Sequence, residues 1–379
     1  MNEYQRYFAE EIAEECGHGH ISRTEALRRL RVLGVSAAVA LSLLAAACGG
    51  DDKSPAQSVA SNEPTTGMPA TESNDSTTPA SDGASTGSPA ATPSPTPMGS
   101  ANNEGTPNPM MAAPAAMPGS STPPAMGMMP PAVENPPATP PADPAAISGV
   151  GMGLPTEAIT FNGPNGPLQG AFAAAPNPRG AVLVIHENRG LNDHIRTVVG
   201  RFAAAGFTAI GLDLLSEEGG TAALGDQANA TAALGRVATT RFTADMQACL
   251  DELQRRAPNA KIGAVGFCFG GGMMWQLLAT KDPRLAAVAP FYGPFPTGNI
   301  DFTGSNAAVL AFYGALDARV NGTQAQAEAA LTAAGLTHEM VVEPNANHAF
   351  FNDTGMSYNA AAAADAWTRV LAWFGEHLS

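Results

Sequence analysis

The sequence predicts an α/β fold over residues 151–379: a doubly wound, mostly parallel sheet with helices on both faces. Three observations carry this. Apolar runs such as AVLVIHE and KIGAVGFC are continuous rather than alternating, as in strands covered on both faces. Runs of helical length separate them, so strand and helix alternate and the strands are joined by crossovers. All three tryptophans, Trp275, Trp367 and Trp373, fall here, and about 230 residues suffice for one large core.

The elements follow in order. AITFNG and LQGAFAAA read as an opening hairpin, and AVLVIHE is the first buried strand. A helical run from Ile195 to Ala205 ends at a glycine and leads into the strand FTAIGLDL. A long helical region follows, ending near DMQACLDELQRRA, with Cys249 at an apolar position as a small buried side chain. KIGAVGFC is the next strand and GGGMMWQLLAT its helix; LAAVAPFYG and AAVLAFYGALD are two more strands. TQAQAEAALTAAG is a helix closed by Gly335, HEMVVEPNANH the last strand, and NAAAAADAWTRVLAWFGEHL the last helix.

The chain before residue 151 reads differently. Val32 to Ala47, VLGVSAAVALSLLAAA, is uncharged, follows RRLR and is shorter than the roughly 20 residues of a membrane span. CGGDD comes next, with Cys48 after three alanines. This resembles a bacterial lipoprotein signal, in which the cysteine is lipidated and becomes the new N-terminus, although Ala45 stands where leucine is usual. Residues 1–48 are therefore expected to be an export segment that delivers the chain to the cell envelope or periplasm. A cleaved signal without lipid and an uncleaved anchor are the alternatives. Residues 49–150 are dominated by Pro, Ser, Thr, Ala, Gly, Asn and Met, without Phe, Tyr or Trp, and Lys53 is their one basic residue. Such a segment cannot bury enough apolar area to offset its ordering entropy, so it reads as a disordered linker. Its methionines are soft Cu(I) donors in principle, but a plain tether explains them.

The formal net charge is −15, and the Lys/Arg cluster at Arg28, Arg29 and Arg31 stands alone, so nucleic acid is not an expected partner. The acidity favours solubility and says nothing of substrate. The four cysteines, Cys16, Cys48, Cys249 and Cys268, show neither zinc-site spacing nor a disulfide framework, and no cofactor or metal is expected.

Gly266-Phe267-Cys268-Phe269-Gly270 carries the chemistry. It is G-x-C-x-G between a strand and a helix, the turn that lifts a nucleophile to the top of a sheet. The helix N-terminus favours a thiolate there. A nucleophile on such a turn is followed along the chain by an acid and then a histidine. Asp317, just past LAFYG, and His348, in the loop after VVEP, stand in that order at carboxyl ends of expected strands. The backbone N–H of Phe269 is the first oxyanion donor.

With these residues in place, the domain resembles the dienelactone hydrolase family of α/β-hydrolases over nearly all of residues 155–378. The blocks VLVIHENRGLNDHIRTVVGRFAAAGFTAIGLDLL, VGFCFGGG, FYGALDARV and PNANHAFFND carry the resemblance in that order. It implies an α/β-hydrolase fold with Cys268 as nucleophile, His348 as base and Asp317 as its partner. It also implies that Glu187 contacts the resting thiol and that the N–H of Asn188 is the second oxyanion donor. The expected activity is hydrolysis of a small carboxylic ester or lactone through an acyl-thioester. Family members that act on dienelactone hold its carboxylate with an arginine four residues after the histidine; here that residue is Asn352. Arg236 and Arg241 align with no anchoring role. Phe267, Phe269, Phe350 and Phe351 suggest an apolar pocket mouth. Two rival readings remain open: an esterase or peptidase of other specificity on the same fold, and a tethered binding domain without turnover.

Overall fold

The computed structural model describes residues 1–48 and 153–379; the expected linker, residues 49–150, lies outside the described residues. Three helices open the chain: α1 (Glu3–Gly17), α2 (Arg23–Val32) and α3 (Ala37–Cys48). Asn2 and Gln5 form a reciprocal capping box on α1, and Ser22 caps α2, satisfying N–H groups that a helix start leaves unpaired. Phe8, Leu30 and Leu44, one from each helix, are fully buried. The apolar segment expected as an export signal contributes α3. Among the described residues no helix is long and apolar enough to cross a membrane. Residues 1–48 belong to the same compact unit as the sheet. The side chain of Cys48 is outside the described residues.

The opening hairpin forms as β1 (Glu157–Asn162) and β2 (Pro167–Ala173), antiparallel with Phe161 opposite Leu168. The continuous apolar runs become the central strands. β3 (Gly180–Ile185), β4 (Phe207–Asp213), β5 (Ile262–Phe267) and β7 (Ala308–Gly314) are buried at every position. β6 (Leu285–Phe291) and β8 (His338–Glu343) complete an eight-stranded sheet in the order β1-β2-β4-β3-β5-β6-β7-β8. β3 to β8 pair in parallel, and β2 meets β4 antiparallel. The two edge strands, β1 and β8, are the half-exposed ones.

Helices flank the sheet. α4 (Asp193–Ala204) begins at an Asn192 cap, two residues before the expected start, and its Phe202 meets Trp367 of the C-terminal helix. The helical region after β4 is broken into two 3₁₀ turns, then α5 (Gln227–Leu234) and α6 (Thr239–Arg256). Positive φ at Gly219, Gly220 and Gly225 interrupts it, and Asp226 starts α5 afresh by accepting from the Asn229 N–H. α7 (Phe269–Ala279) follows β5 directly, with Phe269 against Phe242 of α6. α8 (Ala318–Asn321), α9 (Gln324–Ala333) and α10 (Ala360–Leu378) complete the chain.

Candidate active site

The β5–α7 turn is tight because glycine makes it so. A Cβ on Gly266 would lie 2.1 Å from the Gly270 carbonyl oxygen, and one on Gly270 would lie 2.5 Å from that of Ile185. Between them Cys268 takes φ 55°, ψ −117°, a strained conformation for a side-chain-bearing residue and common where function demands it. Its N–H donates to the Phe291 carbonyl and its carbonyl accepts from Gly272 N–H, so both ends of the turn are pinned. Cys268 is 1% exposed.

Asp317 and His348 converge on this turn from the ends of β7 and β8. Asp317 is fully buried and uses both carboxylate oxygens. Oδ1 accepts from the Val320 N–H and starts α8, while Oδ2 lies 2.6 Å from His348 Nδ1. Burial would raise this carboxyl, but the His348 charge and hydrogen bond, with Arg319, hold it below its usual value. His348 is raised well above an ordinary histidine: burial opposes protonation, but Asp317 and then Cys268 outweigh it. Its Nε2 has no hydrogen-bond partner among the described residues, and the ring sits edge-on to Tyr292 with centroids 5.2 Å apart.

Glu187 lies near the thiol but is directed elsewhere. Tyr292 Oη donates to Oε1 at 3.3 Å and Asn352 Nδ2 donates to Oε2 at 2.7 Å. Asn352 is buried, and its own Oδ1 accepts from the N–H and hydroxyl of Thr354. The position that carries an anchoring arginine in the family thus holds Glu187 in place here. Arg241 pairs with Glu217 and Glu218, and Arg236 donates to the Val32 carbonyl.

His186 has a role that the sequence reading missed. The Leu214 N–H donates to its Nε2, so the proton must reside on Nδ1, which donates to the Glu187 carbonyl at 2.6 Å. Burial lowers the His186 pKa and favours this neutral form. Gly190 N–H reaches the same carbonyl. Two donors therefore orient the peptide whose other end is the Asn188 N–H. Phe269, the other backbone donor position, is the first residue of α7.

The first helix covers the thiol. Tyr7 Oη is 3.3 Å from Cys268 Sγ, and the thiol donates to Glu11 Oε1 at 3.4 Å. Both residues are buried. Phe8 and Tyr4 pack on Phe269, at centroid distances of 5.6 and 5.4 Å. Ion pairs fasten the helix on its polar side: Glu14 to Arg319 at 3.0 Å, and Glu15 to Arg189 at 2.8 Å and Arg29 at 2.9 Å. Burial, then the Glu11 carboxylate, pushes the Cys268 thiol above its usual value, while His348 pulls it down. Burial likewise raises Glu11, opposed by His348 and Arg319. With the helix seated, the cysteine rests closer to a thiol than helix-dipole reasoning alone predicts.

A cavity of about 200 Å³ opens above Cys268 and His348. Glu187, Asn188 and the 347–357 loop form one wall; Glu11, Glu14, Glu15 and Arg29 form the other. This lining mixes charged side chains with apolar ones such as Ile21, Ala349 and Met356. Phe267, Phe350 and Phe351 are absent from it and pack in the core with Phe291, and Phe269 packs under α1, so the four phenylalanines expected at the mouth do not line this cavity. Cys249 is fully buried in α6, as expected.

Comparison with known proteins agrees with this architecture. The model of the dienelactone hydrolase family matches residues 168–378, more than half of the chain. A protein of Escherichia coli O157:H7, provisionally named a carboxymethylenebutenolidase, is 32% identical over 243 residues, covering 59% of this chain and 89% of its own. A crystal structure from Klebsiella pneumoniae, provisionally named a dienelactone hydrolase, superposes with TM-score 0.52 at 30% identity, covering 58% of this chain and 98% of that one. A dienelactone hydrolase-like promiscuous phosphotriesterase from metagenomic libraries gives TM-score 0.52 at 25% identity, covering 60% and 100%.

Proposed function

The chain belongs to the dienelactone hydrolase family, and on that premise we propose that it hydrolyses a small carboxylic ester or lactone, with Cys268, His348 and Asp317 as its catalytic triad. In the form with neutral imidazole, His348 Nε2 takes the Cys268 proton, and the thiolate attacks the carbonyl carbon. The tetrahedral oxyanion is stabilised by the N–H groups of Phe269 and Asn188; losing one such donor typically costs on the order of 3 kcal/mol. Collapse breaks the ester C–O bond, and His348 returns its proton to the leaving oxygen. An acyl-thioester remains. His348 then draws a proton from water, the hydroxyl adds to the thioester carbonyl, and the acid departs as Cys268 recovers its proton. With a lactone the alcohol stays in the same product molecule.

The observation that carries this reading is the Cys268 turn at positive φ, with an Asp317-bound imidazole beside it whose Nε2 is unengaged. The cavity of about 200 Å³ suits a small substrate. Because Asn352 is tied to Glu187, a substrate carboxylate finds no guanidinium at that place. Hydrolysis of p-nitrophenyl acetate and a panel of small lactones by the wild type, Cys268→Ala and His348→Ala is the test. Turnover lost in both variants is expected, and equal rates in all three proteins would remove the assignment.

We also propose that the chain is exported and lipid-anchored at Cys48, from the apolar segment Val32 to Ala47 and the three alanines before that cysteine; the wall that residues 1–47 lend to the site then belongs to the chain before processing. Incorporation of labelled palmitate, abolished in Cys48→Ser, is the expected result; equal labelling of both proteins overturns it.

A further inference from the structure

Three buried side chains from distant parts of the chain meet at the thiol: Glu11 of α1, Cys268 and His348. One donor atom from each lies within 4.8 Å of the other two. Glu11 Oε1 is 3.4 Å from Cys268 Sγ and 3.8 Å from His348 Nε2. A tetrahedral zinc ion, with metal–sulfur near 2.3 Å and metal–nitrogen or –oxygen near 2.0 Å, sets its ligands at about 3.5 Å for sulfur to oxygen and about 3.3 Å for nitrogen to oxygen. The sulfur–oxygen edge matches that spacing, the nitrogen–oxygen edge is about 0.5 Å wider, and the sulfur–nitrogen edge lies within 4.8 Å.

A second observation points to a ligand. Glu11 Oε2 and His348 Nε2 are both buried without a hydrogen-bond partner among the described residues. Glu11 is 7% exposed and His348 9%. Buried polar atoms of this kind normally find a partner. His348 Nδ1 already faces Asp317 Oδ2, so the ring is oriented by a carboxylate with Nε2 presented, as in carboxylate–histidine–metal arrangements. The adjoining cavity leaves room for water or an anion as a fourth ligand.

We propose that Glu11, Cys268 and His348 form an inhibitory site for a borderline-soft divalent cation, Zn²⁺ or its analogue Co²⁺. A thiolate, an imidazole and a carboxylate suit these ions far better than Mg²⁺ or Ca²⁺. On binding, Cys268 releases its thiol proton and His348 the proton on Nε2 to solvent, and the sulfur, nitrogen and oxygen lone pairs fill three coordination positions; nothing is oxidised or reduced. The ion occupies the nucleophile and the base together and ties α1 down over the site. Metal binding is read without substrate and stands apart from the hydrolase reading; its inhibitory effect rests on that reading.

The test is titration of the full chain with CoCl₂ in a non-chelating buffer, following the sulfur-to-cobalt charge-transfer band, and then displacement by ZnCl₂. The expected result is one Co²⁺ per chain, displaced by Zn²⁺, with no band in Cys268→Ser and an affinity lower by at least about tenfold in Glu11→Gln. His348→Gln removes a second ligand independently and keeps the question decidable if Glu11→Gln does not fold, which a circular-dichroism melt of each variant establishes. Absence of the band in the full chain, or an affinity unchanged in folded Glu11→Gln, overturns the proposal.

Discussion

Glu11 Oε1 accepts the Cys268 thiol at 3.4 Å although 257 residues separate the two in sequence. The contact makes the first helix part of the site. Burial is the largest cause of the raised thiol and Glu11 the next, so replacing Glu11 by Ala removes a charge that resists thiolate formation. The pKa of Cys268 then falls, and more thiolate is present at neutral pH. Iodoacetamide should modify Cys268 severalfold faster in Glu11→Ala, with its pH–rate curve displaced to lower pH. Cys249, fully buried and raised by that burial, should stay unlabelled in both proteins. An unchanged pH–rate curve would show that Glu11 does not govern the thiol.

Removal of the whole segment extends this argument. Signal cleavage before Cys48 would take Tyr7 and Glu11 away with α1, so the covered thiol belongs to the uncleaved chain. A chain starting at Cys48 should therefore react faster with iodoacetamide than the full chain, beyond the gain of Glu11→Ala, because Tyr7 and the helix backbone leave too. A slower reaction in the shortened, folded chain would contradict the covering role of α1.

Asp317 performs two tasks that one substitution separates. Asparagine starts a helix as well as aspartate does, so Asp317→Asn keeps the Val320 N–H satisfied. It removes the carboxylate that orients and charges His348. The variant should melt within a few degrees of the wild type while kcat for ester hydrolysis drops by about 10³- to 10⁴-fold. Comparable loss of stability and activity would assign Asp317 to structure alone.

What the sequence revealed of this site follows from where the information lies. Cys268 was readable because a buried strand, two glycines and a helix are contiguous around it. Asp317 and His348 were readable because both end strands and follow the nucleophile in order. Glu11 and Tyr7 were not, because an amphipathic helix does not announce which surface it will cover, and the apolar run beside it has the composition of an export signal. Among the described residues Glu187 makes no hydrogen bond to the thiol that the family resemblance implies it contacts. Asn352 and Tyr292 hold both carboxylate oxygens, and Glu11 stands at the thiol. The breaks after β4 were hidden because alanine-rich runs score as helix while Gly219, Gly220 and Gly225 quietly require left-handed backbone.

His186 acts through the peptide it orients. Replacing it by Ala frees the Glu187 carbonyl from its shortest hydrogen bond and lets the Asn188 N–H turn away from the oxyanion. The expected loss is in kcat, up to about 10²-fold, with KM little changed, since an oxyanion donor acts in the transition state. Iodoacetamide labelling of Cys268 should stay within twofold or so of the wild type. A change confined to KM would mean that His186 shapes substrate binding instead.

Glu343 should make stability fall with alkaline pH. It ends β8 with its carboxyl buried, and burial first, then the charge of Asp365, raises that carboxyl from 4.5 to about 8, against the pull of Arg369. Between those values the folded chain holds a proton that the unfolded chain has released. Folding stability therefore declines as pH rises through the window and is fully retained below it. Glu343→Gln keeps the group neutral at every pH, with an amide able to donate to Asp365. The variant should melt with the wild type at pH 4.5 and be more stable by about 1–3 kcal/mol at pH 8. Thermal melts across this range check the sign: a difference independent of pH would show that Glu343 does not retain its proton in the folded chain.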